Sequence, residues 1–480
     1  MIWMFLAATF AISTALVINK NRGVNYALVL LYQCLFLGFG VYQYFYINTI
    51  QHGVFKSDPL AVLMLLALCF ISVPVLFHAY RYIDKDDSEA TPHTRGVFFA
   101  ALILLITACS MAYLSDHLAV TWIFIEITTL SASVLIYHHR SIRALEGTWK
   151  YVFICAISIT FIYVGILFLS LSLKEAGVQD ISFTSLMKNA GKLDPFWLKL
   201  SFLFIYTGLT AKLGLVPMYT AGIDAKDKAP GPVGAILASA LMNVGFVSLY
   251  RVYAVISGTP SMSWAGTIMM IAAILSVFVA TVYMTRIKNI KRMFAYSGIE
   301  HMGIAVLALA AGGIGVYAAI LHIFLHTLVK PVLFLQYNQI YRIYQSKSIY
   351  DLGNYFRYNR AGAIVILLGF ISVAAMPPSA LFVSEFMVFQ SLFSGGHLLI
   401  MAVLLILLTF IIWGLGVNIF KLLFTPRISE GLLKEEINVP KINPWESLPQ
   451  YVLIIASVYL AYNPPAKLVW MIQEAVKLIQ

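Results

Sequence analysis

Residues 321–335 read LHIFLHTLVKPVLFL, and the fold follows from how this stretch is read. It is apolar enough to lie inside a bilayer, yet it carries His322, His326 and Lys330. Positions i, i+4 and i+8 stack the three on one helical face, over roughly 12 Å at 1.5 Å per residue. An ammonium or imidazolium facing lipid costs about 2.5–3.5 kcal/mol or more, so such groups turn to a bundle interior or a wet cavity. The alternative is three polar side chains satisfied by neighbouring helices; one such residue is common, whereas three in register are not. Titratable groups filed along the membrane normal can each accept and release a proton, which makes this face a candidate proton path.

The surrounding chain fits that setting. Over 480 residues it is 61% hydrophobic and 11% charged, with a mean hydropathy of +0.86. It reads as an all-α, polytopic integral membrane protein with no soluble domain of useful size. About fourteen spans are expected, at 2–19, 24–48, 59–80, 97–114, 118–137, 151–172, 200–218, 232–255, 264–285, 295–312, 314–341, 361–391, 398–420 and 449–463. The first has no basic region before it and no small-residue cleavage site, so it reads as a retained helix rather than a signal peptide.

The net charge of +11 is a topology signal rather than a nucleic-acid surface. With these spans, most Lys and Arg fall on one side, among them Arg81, Lys85, Arg95, Lys226, Lys228, Arg286, Lys291, Arg342, Arg427 and Lys434. The other side receives Lys56, Lys174, Lys188, Lys192, Lys199, Lys467 and Lys477. The positive-inside rule makes the first side cytoplasmic and puts both termini outside, in the cytoplasmic membrane of a prokaryote.

Two spans carry interruptions, Pro217 in the seventh and Pro377–Pro378 in the twelfth. Proline removes a backbone donor, and broken helices are tolerated at membrane depth only where they line a protein-buried or wet cavity. Both breaks fall in the fourth helix of a five-helix unit, if spans 4–8 and 9–13 are two copies. An odd number of spans makes the second copy inverted. The expected division is three N-terminal helices over 1–96, a first repeat over 97–256 and a second over 257–424. Residues 425–480 then hold a cytoplasmic loop, the last span and an amphipathic helix, Pro464–Gln480, that either docks on a neighbour or lies at the interface.

Further ionisable residues lie within the spans. Glu126 sits mid-span with Trp122, Thr129 and Ser133 on its face, and Lys212, just before the first break, is its candidate partner. Changing the distance between them would switch the lysine between holding and releasing its proton. Glu385 follows the second break and is a candidate outlet group. Glu300 and His301 are accessory candidates, either on the path or paired with the basic KNIKR loop. Cys34, Cys69, Cys109 and Cys155 are isolated, with no C-x-x-C and no Walker or dinucleotide glycine motif, which argues against a metal, iron–sulfur or nucleotide site in this chain.

TAKLGLVPMYT followed by APGPVGAILASA, IKNIKRMFAYSGIEHMGI, LHIFLHTLVKPVLF and MPPSALFVSEF together resemble the antiporter-like proton-pumping subunits of respiratory complex I and its relatives. EGTWKYVFICAIS, AYSGIEHMG and PPSALFVSEF are most similar to the hydrogenase-4 component F type of group 4 hydrogenases. The resemblance covers about residues 97–424. It implies a pair Glu126–Lys212 in a first half-channel, a central relay of His322, His326 and Lys330, and Glu385 near the exit. It also implies a redox arm in partner subunits, which hold any iron–sulfur, nickel–iron, flavin or quinone site, together with further membrane-arm subunits.

The sequence departs from the family pattern in three places. Many relatives carry Lys or His in the eighth span, whereas Ala235–Leu249 offers only Ser239, Asn243 and Ser248 as polar side chains. The WLPDAH-like segment reads AGIDAKD, residues 221–227. The chain ends at Gln480 without the lateral helix of the largest pump subunit, which sets that identity aside. Four functions compete on sequence grounds: a proton-translocating subunit of a hydrogenase-4 or NADH:quinone oxidoreductase type complex, a sodium/proton antiporter subunit, a small-solute transporter, and a membrane scaffold for a catalytic module.

Overall fold

A computed structural model describes residues 1–87, 90–426 and 440–479. Arg427, Lys434 and most of the expected loop after residue 425 lie outside the described residues, as does Gln480. Inside a bilayer an apolar run can satisfy its backbone only as a helix, and a helix occupies every expected span. They begin with α1 (Ile2–Ile18), α2 (Arg22–Phe45), α3 (Pro59–Arg81), α4 (Pro92–Leu114), α5 (Leu118–Ile136) and α6 (Ile142–Glu175). After the short α7 (Phe183–Lys188) come α8 (Pro195–Leu213), α9 (Thr220–Lys228), α10 (Gly231–Ala238) and α11 (Ala240–Ser257). Then follow α12 (Met262–Arg286), α13 (Ile290–Ala311), α14 (Ile314–Tyr344), the single turn α15 (Tyr355–Tyr358), α16 (Arg360–Val373), α17 (Ala380–Ser394) and α18 (Leu398–Phe424). The chain closes with α19 (Leu448–Tyr462) and α20 (Ala466–Val476).

Among the described residues, ten helical stretches are individually long and apolar enough to cross a membrane. The helices start where the sequence supplies caps. Asn21, Asp58, Thr91, Ser141 and Asn289 each accept backbone N–H bonds at a helix start, and Pro59, Pro92 and Pro195 stand in first turns.

Both expected breaks are present. α8 stops at Gly214, whose φ of +76° is the left-handed stop that glycine adopts without strain, and the chain resumes as α9 at Thr220. Within this gap the Val216 N–H is taken by Ser276 Oγ of α12 at 2.9 Å. The second break separates α16 from α17, which Ser379 caps. A further interruption lies where the sequence suggested one continuous span: Ser239 leaves helical geometry between α10 and α11, and Tyr113 Oη donates to the Ala240 carbonyl at 2.6 Å.

Two groups of helices close into rings in the same order. In one, α4 packs on α5, α5 on α6, α6 on α8, α8 on α11, and α11 back on α4. In the other, α12 packs on α13, α13 on α14, α14 on α16 and α17, these on α18, and α18 back on α12. The loops expected on one side also bind one another. Arg342 meets Asp86 at 2.6 Å and Glu446 at 2.9 Å, His138 meets Asp87 at 2.7 Å, and Lys347 reaches the Asp227 carbonyl at 2.6 Å.

Of the two options for the C-terminal helix, docking is the one observed. α20 bends 70° from α19 and buries Leu468, Met471, Ile472 and Val476 against α3 and α14. Tyr250 Oη holds it by the Ala475 carbonyl at 2.7 Å.

Candidate functional site

Two clusters of buried polar groups lie inside the helix rings. The first is built on α5, α6 and α8. Lys212 is in the last turn of α8, where the helix dipole favours a cation. It does not snorkel: the residue is 4% exposed, and its Nζ donates to Thr129 Oγ1 at 2.7 Å and to Tyr151 Oη at 3.4 Å, with the Tyr151 ring centroid at 5.5 Å. Glu126 stands one turn before Thr129 on α5, half-buried, and its Oε2 has no protein hydrogen bond. The direct Glu126–Lys212 pair expected from sequence is not formed within 4.0 Å. The Thr129 hydroxyl takes the lysine instead, on the same face as the carboxylate.

The second cluster is built on α13, α14 and α17. His322, His326 and Lys330 are all fully buried along α14, and Pro331 follows Lys330 without ending the helix. Lys330 Nζ donates to Ser297 Oγ of α13, and Glu300, one turn further along α13, acts electrostatically on the same ammonium. His301, the neighbour of Glu300, is central. Its ring lies 5.2 Å from that of His322 and 5.3 Å from that of His326, and its Nδ1 is 3.6 Å from Glu385 Oε1. His322 Nδ1 is hydrogen-bonded to Ser384 Oγ at 3.0 Å. Glu300 and His301 therefore join the α14 file and do not pair with the KNIKR loop. The loop's Arg292 goes to Asp224 and Asp227 instead, and its Lys291 donates to the Ala229 carbonyl.

Between the clusters, the hydroxyls of the eighth span are spent on structure, while Asn243 keeps its Oδ1 buried without a protein hydrogen bond. Ser239 donates to Ala235 and Ser248 to Val244 of their own helix turns, while Asn243 Nδ2 donates to Thr327 Oγ1 of α14 at 2.7 Å. Lys226, which the sequence puts among the cytoplasmic loop charges, is only 3% exposed and points into the protein. No hydropathy signal marks it, because it sits in a short polar helix whose direction is set by the preceding break.

A cavity of about 660 Å³ opens on the basic-loop side and is lined by Asp86, Arg143, Asp227, Lys291, Tyr337 and Arg342, among others. His301, His322 and Glu385 are also the one set among the described residues with three clustered potential metal-ligand atoms, within 4.8 Å of one another. Ligands of tetrahedral zinc stand about 3.3 Å apart, so the set is too open to grip zinc without moving.

The family model for the NADH:quinone oxidoreductase/Mrp antiporter transmembrane segment matches residues 115–411. The chain is 27% identical over 422 residues to a hydrogenase-4 component F homolog from Methylacidiphilum infernorum, covering 87% of each chain. It is 27% identical over 360 residues to NADH-quinone oxidoreductase subunit N 2 from Rhizobium meliloti, covering 74% of this chain and 72% of that one. Among solved structures, the archaeal membrane-bound sulfane sulfur reductase matches all of this chain and 97% of its own, with a TM-score of 0.85 at 20% identity. The Mrp complex of Dietzia sp. DQ12-45-1b gives the same TM-score and coverage at 15% identity. At these identities the two likenesses speak for the fold.

Proposed function

The chain belongs to the NADH:quinone oxidoreductase/Mrp antiporter transmembrane family, and from that premise we propose that it translocates protons as an antiporter-like subunit of a hydrogenase-4 or NADH-quinone oxidoreductase type complex. One observation carries the reading. Both ring nitrogens of His301 and of His326, His322 Nε2, Glu300 Oε2 and Glu385 Oε1 are buried without a protein hydrogen bond. Buried polar atoms are otherwise almost always paired, so an enclosed series of unpaired ones suits exchange of protons with water.

In this mechanism a proton enters at Glu126 and passes by the Thr129 hydroxyl to Lys212. In the second half Lys330 holds a proton against Ser297 and Glu300 and releases it to His326. His301 passes it on, and Glu385 is the outlet. Amines and imidazoles dominate this series, whereas hard cations take oxygen ligands; that composition favours protons over sodium. The four isolated cysteines offer no cluster ligands, and redox centres belong to the partner subunits. The excess of Lys and Arg in the loops of one side supports a reading in which that side is cytoplasmic and both termini lie outside, in the cytoplasmic membrane.

The test is proton uptake into inside-out vesicles, driven by the electron donor of the intact complex. Lys212→Ala and Lys330→Ala are expected to abolish this subunit's share of translocation while assembly and electron transfer persist. Unchanged proton-to-electron ratios in both variants would defeat the assignment. Failure of the complex to assemble would favour the scaffold reading.

A further inference from the structure

Over Ala235–Leu249 the eighth span brings no Lys, His or carboxylate between Lys212 and Lys330. Its Ser239 and Ser248 hydroxyls are committed to their own helix turns. The Asn243 amide, which donates to Thr327 and leaves Oδ1 without a protein hydrogen bond, does not titrate. An amine is nevertheless present at that place, delivered from a different element. After the Pro217 break, α9 turns Lys226 inward. Its Nζ lies 3.2 Å from Met242 Sδ, a weak acceptor. Among the described residues no carboxylate lies within 4.0 Å of it. Its neighbours Asp224 and Asp227 face the other way, held by Arg292, Lys228 and Lys347. A buried lysine without an anion is costly to keep charged, so a structural role explains it poorly.

Its surroundings connect the two clusters. Lys212 and Lys226 line one small cavity of about 10 Å³, closed by Tyr151, Gly214 and Leu241. That is close to the room a single water needs. On the other side, Met242 Sδ and Lys330 Cε lie 3.5 and 3.6 Å from the point where a Cβ on Gly298 would stand. Lys226 is also close enough to act electrostatically on His326 and Lys330.

We propose that Lys226 is the proton carrier joining the two half-channels, taking the place that a residue of the eighth helix would otherwise fill. Neutral Lys226 accepts a proton from the Lys212 ammonium through the cavity, and its own ammonium then gives that proton to neutral Lys330. Each step moves one proton between amines, and mutual repulsion keeps adjacent lysines from holding protons together.

This inference rests on the proton-translocation reading, so the experiment includes Lys330→Ala as its reference. The proton-to-electron ratio is measured in inside-out vesicles holding the assembled complex. Lys226→Met is expected to lower the ratio to the Lys330→Ala value with electron transfer kept. Lys226→Arg is expected to do the same, since a guanidinium does not give up its proton. Lys226→Met combined with Leu241→Lys, which returns an amine to the same cavity from the eighth helix, is expected to restore the ratio.

A loss with Lys330→Ala but none with Lys226→Met, or full activity in Lys226→Arg, would overturn the Lys226 assignment alone. No loss with Lys330→Ala would overturn the parent reading. If Lys226→Met does not assemble, Lys226→Gln is measured in its place by the same criteria.

Discussion

Arg251, near the end of α11, is expected to be the costliest single charge to remove outside the proton path. It is 3% exposed, and its guanidinium ties three helices together. Nη2 meets Asp58 Oδ2 at 2.5 Å and the Tyr113 carbonyl at 2.6 Å, Nη1 donates to the Ser115 carbonyl at 2.7 Å, and the Phe183 ring centroid lies 5.7 Å from Cζ. Asp58 is meanwhile the N-cap of α3, accepting from Ala61 N at 2.8 Å. Arg251→Ala removes every one of these contacts and leaves a buried carboxylate with only its cap. Removing one member of a buried pair costs about 3–5 kcal/mol, and two orphaned carbonyls push the value to the upper half of that range. Asp58→Asn keeps the cap, because asparagine caps as well as aspartate, so it isolates the ion pair. The double variant Arg251→Met/Asp58→Asn is then expected to lose less than the sum of its singles, by about 1–3 kcal/mol. Equilibrium unfolding in mixed micelles, followed by circular dichroism during a denaturant titration, reads all of these values. A loss below about 1 kcal/mol for Arg251→Ala, the value of an exposed pair, would refute the account.

Thr129→Val should lower proton translocation at least about tenfold, since a hydrogen bond to a charged group is worth about 1.5–3 kcal/mol. Thr129→Ser should leave translocation near normal, and equal losses in the two variants would remove the hydroxyl from the path. On the basic-loop side, burial pushes the His138 imidazole below its ordinary value despite the Asp87 carboxylate at 2.7 Å. With the folded value below the unfolded one of about 6.5, the unfolded chain binds more protons, and His138's contribution to stability fades as pH falls below that point. Thermal unfolding between pH 7 and 5 should therefore drop more steeply in wild type than in His138→Gln, and parallel curves would contradict the shift.

The fold was largely legible because lipid removes alternatives: apolar runs bounded by caps and charges can only become helices there. Pro217 and Pro377–Pro378 marked their breaks for the same backbone reason. The interruption at Ser239 was not legible. No proline or glycine announces it, and it depends on Tyr113, which is distant in sequence, capturing the Ala240 carbonyl. The edges of α4 and α6 also ran past their apolar cores, because Thr91 and Ser141 cap polar first turns that hydropathy assigns to loops.

The site divides in the same way. His322, His326 and Lys330 could be found because one helix carries them at its own period, whereas His301 gained its place only through the packing of α13 between α14 and α17. Lys226 shows why charge counting fails at a broken helix. The positive-inside rule treats every short connection as solvated, which holds when a helix ends at the membrane surface. Here the helix stops at Gly214 and resumes at Thr220, so the apparent connection is the continuation of a crossing. Of its charges, Asp224, Asp227 and Lys228 reach the basic-loop network, while Lys226, on another face of the same short helix, enters the interior. A break of this kind does more than loosen the backbone. It lets one turn of polar sequence face the surface on one side and the interior on the other, and in the proposed path that inner face supplies the amine that the eighth helix does not carry.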